Sequence, residues 1–308
     1  MRTKRHNNLL IYIILVLAML FWGTSFIFTS IVLKSSDPIS IIFLRIVISS
    51  IMLWVIIAIF FRKEKMTFAL FKWIAVLAFF QPFIYFIGET FGLQRVSPVV
   101  TSLIISTIPV FTTVVMRIFF KAKLTVLNFV GIFISLAGVV LMITGKNMQI
   151  DVDAFGLILL FIAVFAAVGY GVMLNKISTV VHPVWLIAIQ NTVAIVYFLP
   201  LFLVMRETQS FDYEPVFTFL TSQQEMWFSM LVLSIFCSSL AFIFFSTAIA
   251  KIGVARSTVF TNLVPIFAAL TSFFILGEYL TVSKIVGIFV VIFGLVLTQK
   301  KFKDSKIQ

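Results

Sequence analysis

Two ionisable side chains, Arg45 and Glu89, lie well inside long apolar stretches of this sequence. A charge at membrane depth costs about 2.5–3.5 kcal/mol on insertion scales, so each of these residues calls for an explanation. A buried carboxyl can take up and release a proton, and a buried guanidinium can hold an anionic group of a ligand. Two alternatives stay open: the residues form a structural ion pair, or their side chains extend to the outer headgroups.

Two other apolar stretches carry matching polar faces beside a proline. Each has two polar side chains and a proline at spacing i, i+4 and i+7, which places them on one side of a helix. The residues are Ser102, Ser106 and Pro109 in the first stretch, and Thr258, Asn262 and Pro265 in the second. A proline within a span frees a backbone carbonyl, which protein or water must satisfy. We therefore predict helix kinks at both prolines and a cavity lined by both faces, with ordinary helix packing as the alternative.

Further candidate contacts to a ligand come from aromatic and glycine-rich segments. Trp22 and Thr24 lie in FWGTSF (21–26), and Tyr170 lies in GYG (169–171). Weaker candidates are Gln81, Pro82 and Tyr85 in the third span and Ser238 and Ser239 in the eighth, and of these Tyr85 is included among the predicted contacts. With 38 Phe, 6 Tyr and 5 Trp in the chain, packing against lipid or core is the alternative for any single ring.

The sequence contains no recognisable catalytic arrangement. It lacks the nucleophile, paired-carboxylate, metalloprotease and phosphate-loop patterns. One cysteine, Cys237, and two histidines, His6 and His182, are too few for a metal site. We therefore expect a protein that is not an enzyme, with no cofactor and no bound metal.

The composition indicates that these residues lie in membrane-spanning segments. Apolar residues make up 62% of the 308 residues, 11% are charged, and the mean hydropathy is +1.19. Soluble chains average ~45–50% apolar and ~25% charged residues, so this chain is predicted to be an all-α polytopic membrane protein. Spanning the bilayer takes about 20 apolar residues. Ten such runs occur, at 9–33, 39–61, 73–93, 97–119, 126–144, 154–174, 184–205, 227–249, 254–276 and 282–299.

The net charge of +12 is interpreted as an orientation signal rather than as a footprint for nucleic acid. If the N-terminus is cytoplasmic, seventeen of the 23 Lys and Arg residues fall on the inner side and five on the outer side. Basic residues favour the cytoplasmic side. We therefore predict that both termini are cytoplasmic, with no nucleic-acid partner.

An internal repeat divides the chain. Residues 88–141 align with 244–297 without a gap, and IPVF (108–111) meets VPIF (264–267). VGIF (130–133) likewise meets VGIF (286–289). Units of 1–147 and 148–308 would then hold five spans each, and an odd number inverts the second unit relative to the first. Inverted repeats are typical of secondary transporters, whose substrate binds near the midplane.

These features together resemble the EamA-type transporters of the drug/metabolite transporter superfamily. The segment LVPIFAALTSFFILGEYLTVSKIVGIFVVIFG (263–294) is the most specific part, and Lys121-Ala122-Lys123 replaces its Gly-Glu in the first copy. The resemblance implies two inverted five-helix bundles around a cavity lined by spans 1–4 and 6–9, with spans 5 and 10 at the periphery. It also implies export or exchange of small metabolites, often amino acids.

From the sequence we expect a bacterial inner-membrane secondary transporter that moves an amino acid-like or drug-like solute by alternating access. Its partners would be the small-molecule substrate, the lipid bilayer, and a proton or counter-solute. A flippase-like subunit or scaffold for a lipid-linked substrate is the alternative. The sequence does not fix the oligomeric state, and a homodimer is among the arrangements that it allows.

Overall fold

A computed structural model describes residues 2–61, 64, 66–120, 126–143, 153–208, 224–277 and 281–299. These residues form helices joined by short connections, with no strand among them. We number the helices α1 (Arg2–Val32), α2 (Pro38–Phe60), α3 (Phe68–Leu93), α4 (Pro98–Ile105 and Ile108–Phe120), α5 (Val126–Ile143), α6 (Ala154–Ile177), α7 (Pro183–Thr208), α8 (Gln224–Ile252), α9 (254–276) and α10 (Val282–Gln299). The prediction of an all-α protein is confirmed.

Seven of these helices are long and apolar enough to cross a membrane. They are Leu9–Val32, Pro38–Phe60, Phe68–Leu93, Pro98–Val115, Ala154–Ile177, Pro183–Met205 and Gln224–Ile252. Shorter apolar helices cover Phe260–Leu276 and Ile285–Gly294. The chain is therefore a multi-pass membrane protein, whereas the number of ten spans and the orientation stay predictions.

Polar residues at the helix ends set where the helices begin. Asp37 caps α2 by accepting a hydrogen bond from the Ser40 N–H at 2.9 Å, and Pro38 fills the first turn. Asp153 caps α6 by accepting from the Gly156 N–H at 2.8 Å and also pairs with Arg95 at 3.1 Å. The Gly156 hydrogen bond, helped by the Arg95 charge, lowers the pKa of the Asp153 carboxyl.

The helix packing has a twofold pattern. Helix α3 packs on α6 as α8 packs on α1, and α4 packs on α6 as α9 packs on α1. Likewise α3 packs on α7 as α8 packs on α2. Three further close pairs, α2–α7, α4–α9 and α5–α10, each join a helix to the one five places later. This pattern is what two copies of one five-helix unit produce when they face each other.

Interruptions of the α-helices occur at corresponding places in the two sets of five. Helix α3 contains a π-helical segment over Phe79–Ile84, and α8 contains one over Leu233–Leu240. Helix α4 breaks at Ser106 and Thr107, shortly before Pro109. Helix α9 passes through a 3₁₀ segment, Thr258–Leu263, before Pro265. Such breaks commonly mark functional sites.

Helices α5 and α10 cross closely at small residues. A Cβ added to Gly138 would lie 2.7 Å from the Val291 backbone nitrogen, and one added to Gly294 would overlap the backbone of Ser135. Small residues let two helix backbones approach in a membrane, where apolar side chains gain little by leaving lipid. This contact holds α5 and α10 together.

The variant Gly294→Ala should destabilise the protein in detergent by about 1–3 kcal/mol, because a methyl group must displace backbone rather than a flexible side chain. Thermal unfolding followed by size-exclusion chromatography measures the effect. Gly171→Ala is the matched control, since a Cβ there has no atom within 4 Å. Equal melting temperatures for both variants would contradict the close crossing.

Candidate functional site

A cavity lies between the two sets of five helices. Its walls come from α1, α2, α3 and α4 on one side and from α6, α8 and α9 on the other. Seven of the ten predicted contact residues line it: Trp22, Arg45, Tyr85, Glu89, Ser106, Tyr170 and Thr258. Side chains of α5, α7 and α10 are not among the lining residues in the described part of the chain.

Arg45 lies at this cavity with only 2% of its surface exposed. Its Nε donates a hydrogen bond to the Ser238 Oγ at 2.8 Å, and its guanidinium carbon lies 4.2 Å from the centre of the Phe86 ring. The Ser238 contact fixes one edge of the guanidinium and the Phe86 contact covers one face. The two terminal nitrogens have no hydrogen-bond partner among the described residues, so they can receive an anionic group in a forked geometry.

Glu89 lies at the same cavity and is 5% exposed. Its Oε1 accepts a long hydrogen bond from the Tyr85 hydroxyl at 3.4 Å. Its Oε2 is buried without a hydrogen-bond partner among the described residues. A buried carboxyl with an unfilled oxygen can bind a cationic group or hold a proton.

Although they line one cavity, Arg45 and Glu89 do not form an ion pair with each other. In the described part of the chain, the ion pair found is Arg95–Asp153 at the molecular surface. Their burial also excludes side chains that reach out to the headgroups. The geometry thus shows neither a direct ion pair nor snorkelling, and a functional role for the two residues stays a prediction.

Aromatic side chains also line the cavity. The Trp22 ring packs edge-on against Phe242 at 5.2 Å and Phe245 at 5.0 Å between ring centres. Tyr170 packs against Phe242 at 6.3 Å, and its hydroxyl donates a long hydrogen bond to the Gln190 Oε1 at 3.4 Å. Phe245 occupies the place in the repeat that corresponds to Glu89. The cavity therefore has both charged and aromatic residues in its lining.

One turn after Arg45, helix α2 is hydrogen-bonded to α7 and α8. Ser49 and Ser239 share a hydrogen bond of 2.6 Å between their hydroxyls, and the Asn191 side-chain amide donates to the Ser49 Oγ at 2.7 Å. One turn further, the Trp54 indole donates to the Thr192 Oγ1 at 2.8 Å. Hydrogen bonds of this kind hold a transmembrane helix in position. They would keep α2 in place even if the Arg45 side chain were removed.

Three predicted contact residues lie outside the cavity lining. Thr24 lies on the side of α1 away from Trp22 and donates to the Phe21 carbonyl at 3.0 Å. Ser102 is fully buried one turn above Ser106 and donates to the Val99 carbonyl at 2.7 Å. Asn262 is turned away because its segment is a 3₁₀ helix rather than the α-helix that the spacing assumed.

Sequence reasoning missed or undervalued five polar residues at the site. Ser25, Gln81, Thr112 and Thr261 line the cavity, and Ser238 holds Arg45. Gln81 and Ser238 were weaker candidates, and their position in the two π-helical segments was the missing signal. Ser25 and Thr112 could have been found by extending the polar faces of α1 and α4 by one turn.

Comparison with known proteins agrees with this architecture. The sequence model of the EamA-like transporter family matches residues 9–144 and again residues 154–299. The chain belongs to the EamA-like transporter family. The resemblance noted in the sequence is thus confirmed, and the two matches cover nearly all of the helices described above.

Curated relatives of this EamA-like chain are also transporters by name. An uncharacterized transporter of Archaeoglobus fulgidus is 26% identical over 296 residues, which cover 94% of this chain and 97% of the relative. The uncharacterized transporter YvbV of Bacillus subtilis is 24% identical over 299 residues, covering 96% and 93%. A solved crystal structure superposes with a TM-score of 0.66 at 13% identity, covering 94% of this chain and 97% of the other. The relatives identify a membrane transporter, and the superposition supports its fold.

Proposed function

We propose that this EamA-like protein is a secondary transporter of the bacterial inner membrane that exports or exchanges a small organic metabolite by alternating access. Ten spans in two inverted five-helix units, with both termini cytoplasmic, would place the cavity at the interface between the units. Rocking of one unit against the other would then expose the cavity to either side in turn. One observation carries the proposal: a buried arginine and a buried carboxyl share an enclosed cavity without pairing.

The chemistry of the cavity favours a compact solute with polar and apolar parts. The free end of the Arg45 guanidinium would bind an anionic group, and the Glu89 carboxyl would bind a cationic group or carry the coupling proton. The apolar body of the solute would rest against Trp22, Phe242 and Phe245. An amino acid-like zwitterion or a drug-like molecule of this kind meets all of these demands.

Purified protein in proteoliposomes tests the proposal. A panel of labelled amino acids, organic acids and amphiphilic drugs is offered under an imposed pH gradient and under counterflow conditions. We expect saturable flux of at least one solute class that an uncoupler weakens under the gradient. Absence of flux and counterflow across the panel would overturn the proposal, and transfer of a lipid-linked substrate instead would favour a flippase.

A further inference from the structure

The segment Thr258–Leu263 of α9 presents its side chains to the cavity with a period of three residues. Thr258, Thr261 and Val264 line the cavity at i, i+3 and i+6, as expected for the 3₁₀ helix found there. A 3₁₀ helix turns by about 120° per residue and an α-helix by about 100°. Over the four residues from Thr258 to Asn262, the difference amounts to about 80°. The 3₁₀ winding therefore carries the Asn262 side chain out of the cavity lining.

Asn262 gains no partner in the place where this winding puts it. The side chain is 5% exposed, and neither its Oδ1 nor its Nδ2 has a hydrogen-bond partner among the described residues. A buried amide with both groups unsatisfied is unfavourable, and native structures retain few such groups. An arrangement that returns Asn262 to a polar cavity would remove this penalty.

The corresponding segment of α4 has the other conformation. Ser106, which aligns with Asn262 in the repeat, follows the α-helical segment Pro98–Ile105 and lines the cavity. Its hydroxyl is satisfied by the Leu103 carbonyl at 2.7 Å. The two related segments thus differ in winding, with the polar side chain inside the cavity in one and outside it in the other.

The contacts of two glycines beside the cavity also differ. Gly23 of α1 packs tightly on α9, because an added Cβ would lie 2.8 Å from the Val264 carbonyl oxygen and 3.1 Å from the Ala268 nitrogen. Gly171 of α6, in the matching aromatic–glycine pair Tyr170-Gly171, lines the cavity with no atom within 4 Å of an added Cβ. Helix α9 is therefore packed tightly on α1 directly after its 3₁₀ segment ends at Leu263, whereas Gly171 of α6 faces open space.

We propose that Thr258–Leu263 changes from 3₁₀ to α winding during transport, and that this change swings the Asn262 amide into the cavity as a substrate contact. The inference rests on the proposed function and adds a ligand-binding residue that acts in only one of the two states. An amide both donates and accepts hydrogen bonds, so Asn262 binds the polar head of the solute. We expect the change to be coupled to separation of α9 from α1 at Gly23, because this contact directly follows the segment.

Thiol labelling in membrane vesicles tests this inference without a known substrate. Cys237 is replaced by alanine, and Asn262→Cys or Ser106→Cys is introduced for reaction with N-ethylmaleimide. Gly23→Ala is then added to force α9 away from α1, and Gly171→Ala is the matched control at an open position. We expect Gly23→Ala to raise the labelling rate at residue 262 at least about tenfold, as when a minor state becomes populated. Gly171→Ala should leave that rate unchanged.

The outcomes separate this inference from the proposed function. A residue 262 thiol that stays unreactive in the folded Gly23→Ala protein, or that responds equally to Gly171→Ala, overturns the change in winding. If the Gly23→Ala protein does not insert into the membrane, the labelling is repeated without this substitution under inward and outward pH gradients. The labelling rate at residue 262 must then rise with only one direction of the gradient. Solute flux without any change in labelling contradicts this inference alone, whereas altered labelling without flux contradicts transport alone.

Discussion

Replacing Arg45 by glutamine should lower solute flux by about 10- to 100-fold, the range given by losing one charge-assisted hydrogen bond of about 1.5–3 kcal/mol. Glutamine can still reach Ser238, but it brings no charge and no forked donor pair to the cavity. The loss should fall on the affinity for the solute, because the guanidinium ends are free to bind it. Initial rates of uptake into proteoliposomes over a range of solute concentrations measure the effect.

The protein should remain folded in this variant, because other contacts hold α2. Ser49 bonds Ser239 and Asn191, and Trp54 bonds Thr192, all independently of Arg45. Arg45→Lys tests geometry, since an ammonium keeps the charge but not the planar fork. Arg95→Gln is the control for removing any arginine, because Arg95 is 46% exposed in its pair with Asp153 and such surface pairs contribute little. Unchanged flux in Arg45→Gln would remove this residue from the site.

Arg45 and Glu89 could be found from the sequence because a charge within an apolar run is conspicuous. The runs predict the helices, since their length and hydropathy alone satisfy the bilayer. The side on which each charge points could not be predicted, because an apolar helix in lipid has no amphipathic pattern to fix its rotation. Packing of α2 against α7 and α8 sets that rotation here, through hydroxyl groups that sequence reasoning treats as ordinary helix contacts.

Asn262 illustrates a different limit. The spacing of Thr258, Asn262 and Pro265 was interpreted with the period of an α-helix, and the segment winds as 3₁₀. Since Pro265 has no N–H, it cannot donate to the carbonyl one turn earlier, and the backbone there is free to wind more tightly. The repeat made the same spacing look reliable, yet the two copies differ at this point. Copies that share a sequence pattern need not share a conformation.

The repeat also separates the residues that build the fold from those that set its chemistry. One proline and two glycines recur in both copies, as Pro109/Pro265, Gly131/Gly287 and Gly138/Gly294, whereas Glu89 corresponds to Phe245. A charge present in only one copy breaks the symmetry of the cavity and, under the proposed function, would give a bound solute a defined orientation. When the two units alternate between inward-open and outward-open states, the solute would then pass one fixed carboxyl. This asymmetry makes Glu89 the residue most directly suited to couple transport to protons.

Replacing Glu89 by glutamine should abolish uptake driven by a pH gradient and spare counterflow exchange of the solute. Glutamine has nearly the same shape and can still accept the Tyr85 hydrogen bond, but it cannot bind and release a proton. Exchange needs binding and the conformational change, whereas accumulation against a gradient needs the proton as well. Both rates are measured in the same proteoliposomes, with and without an imposed gradient.

Two results would assign Glu89 a different role. Equal loss of both rates in a folded protein would indicate that the carboxylate binds a cationic group of the solute and does not carry a proton. Loss of both rates together with a lower melting temperature would indicate a structural residue. If Arg45→Ala also lost both rates and melted at a lower temperature, the two residues would be a structural pair.

Glu64→Gln is the control for removing a carboxyl, because Glu64 lies outside the helices and accepts from the His182 N–H at 3.1 Å. Its gradient-driven uptake should match that of the unaltered protein, since this carboxyl has no contact with the cavity.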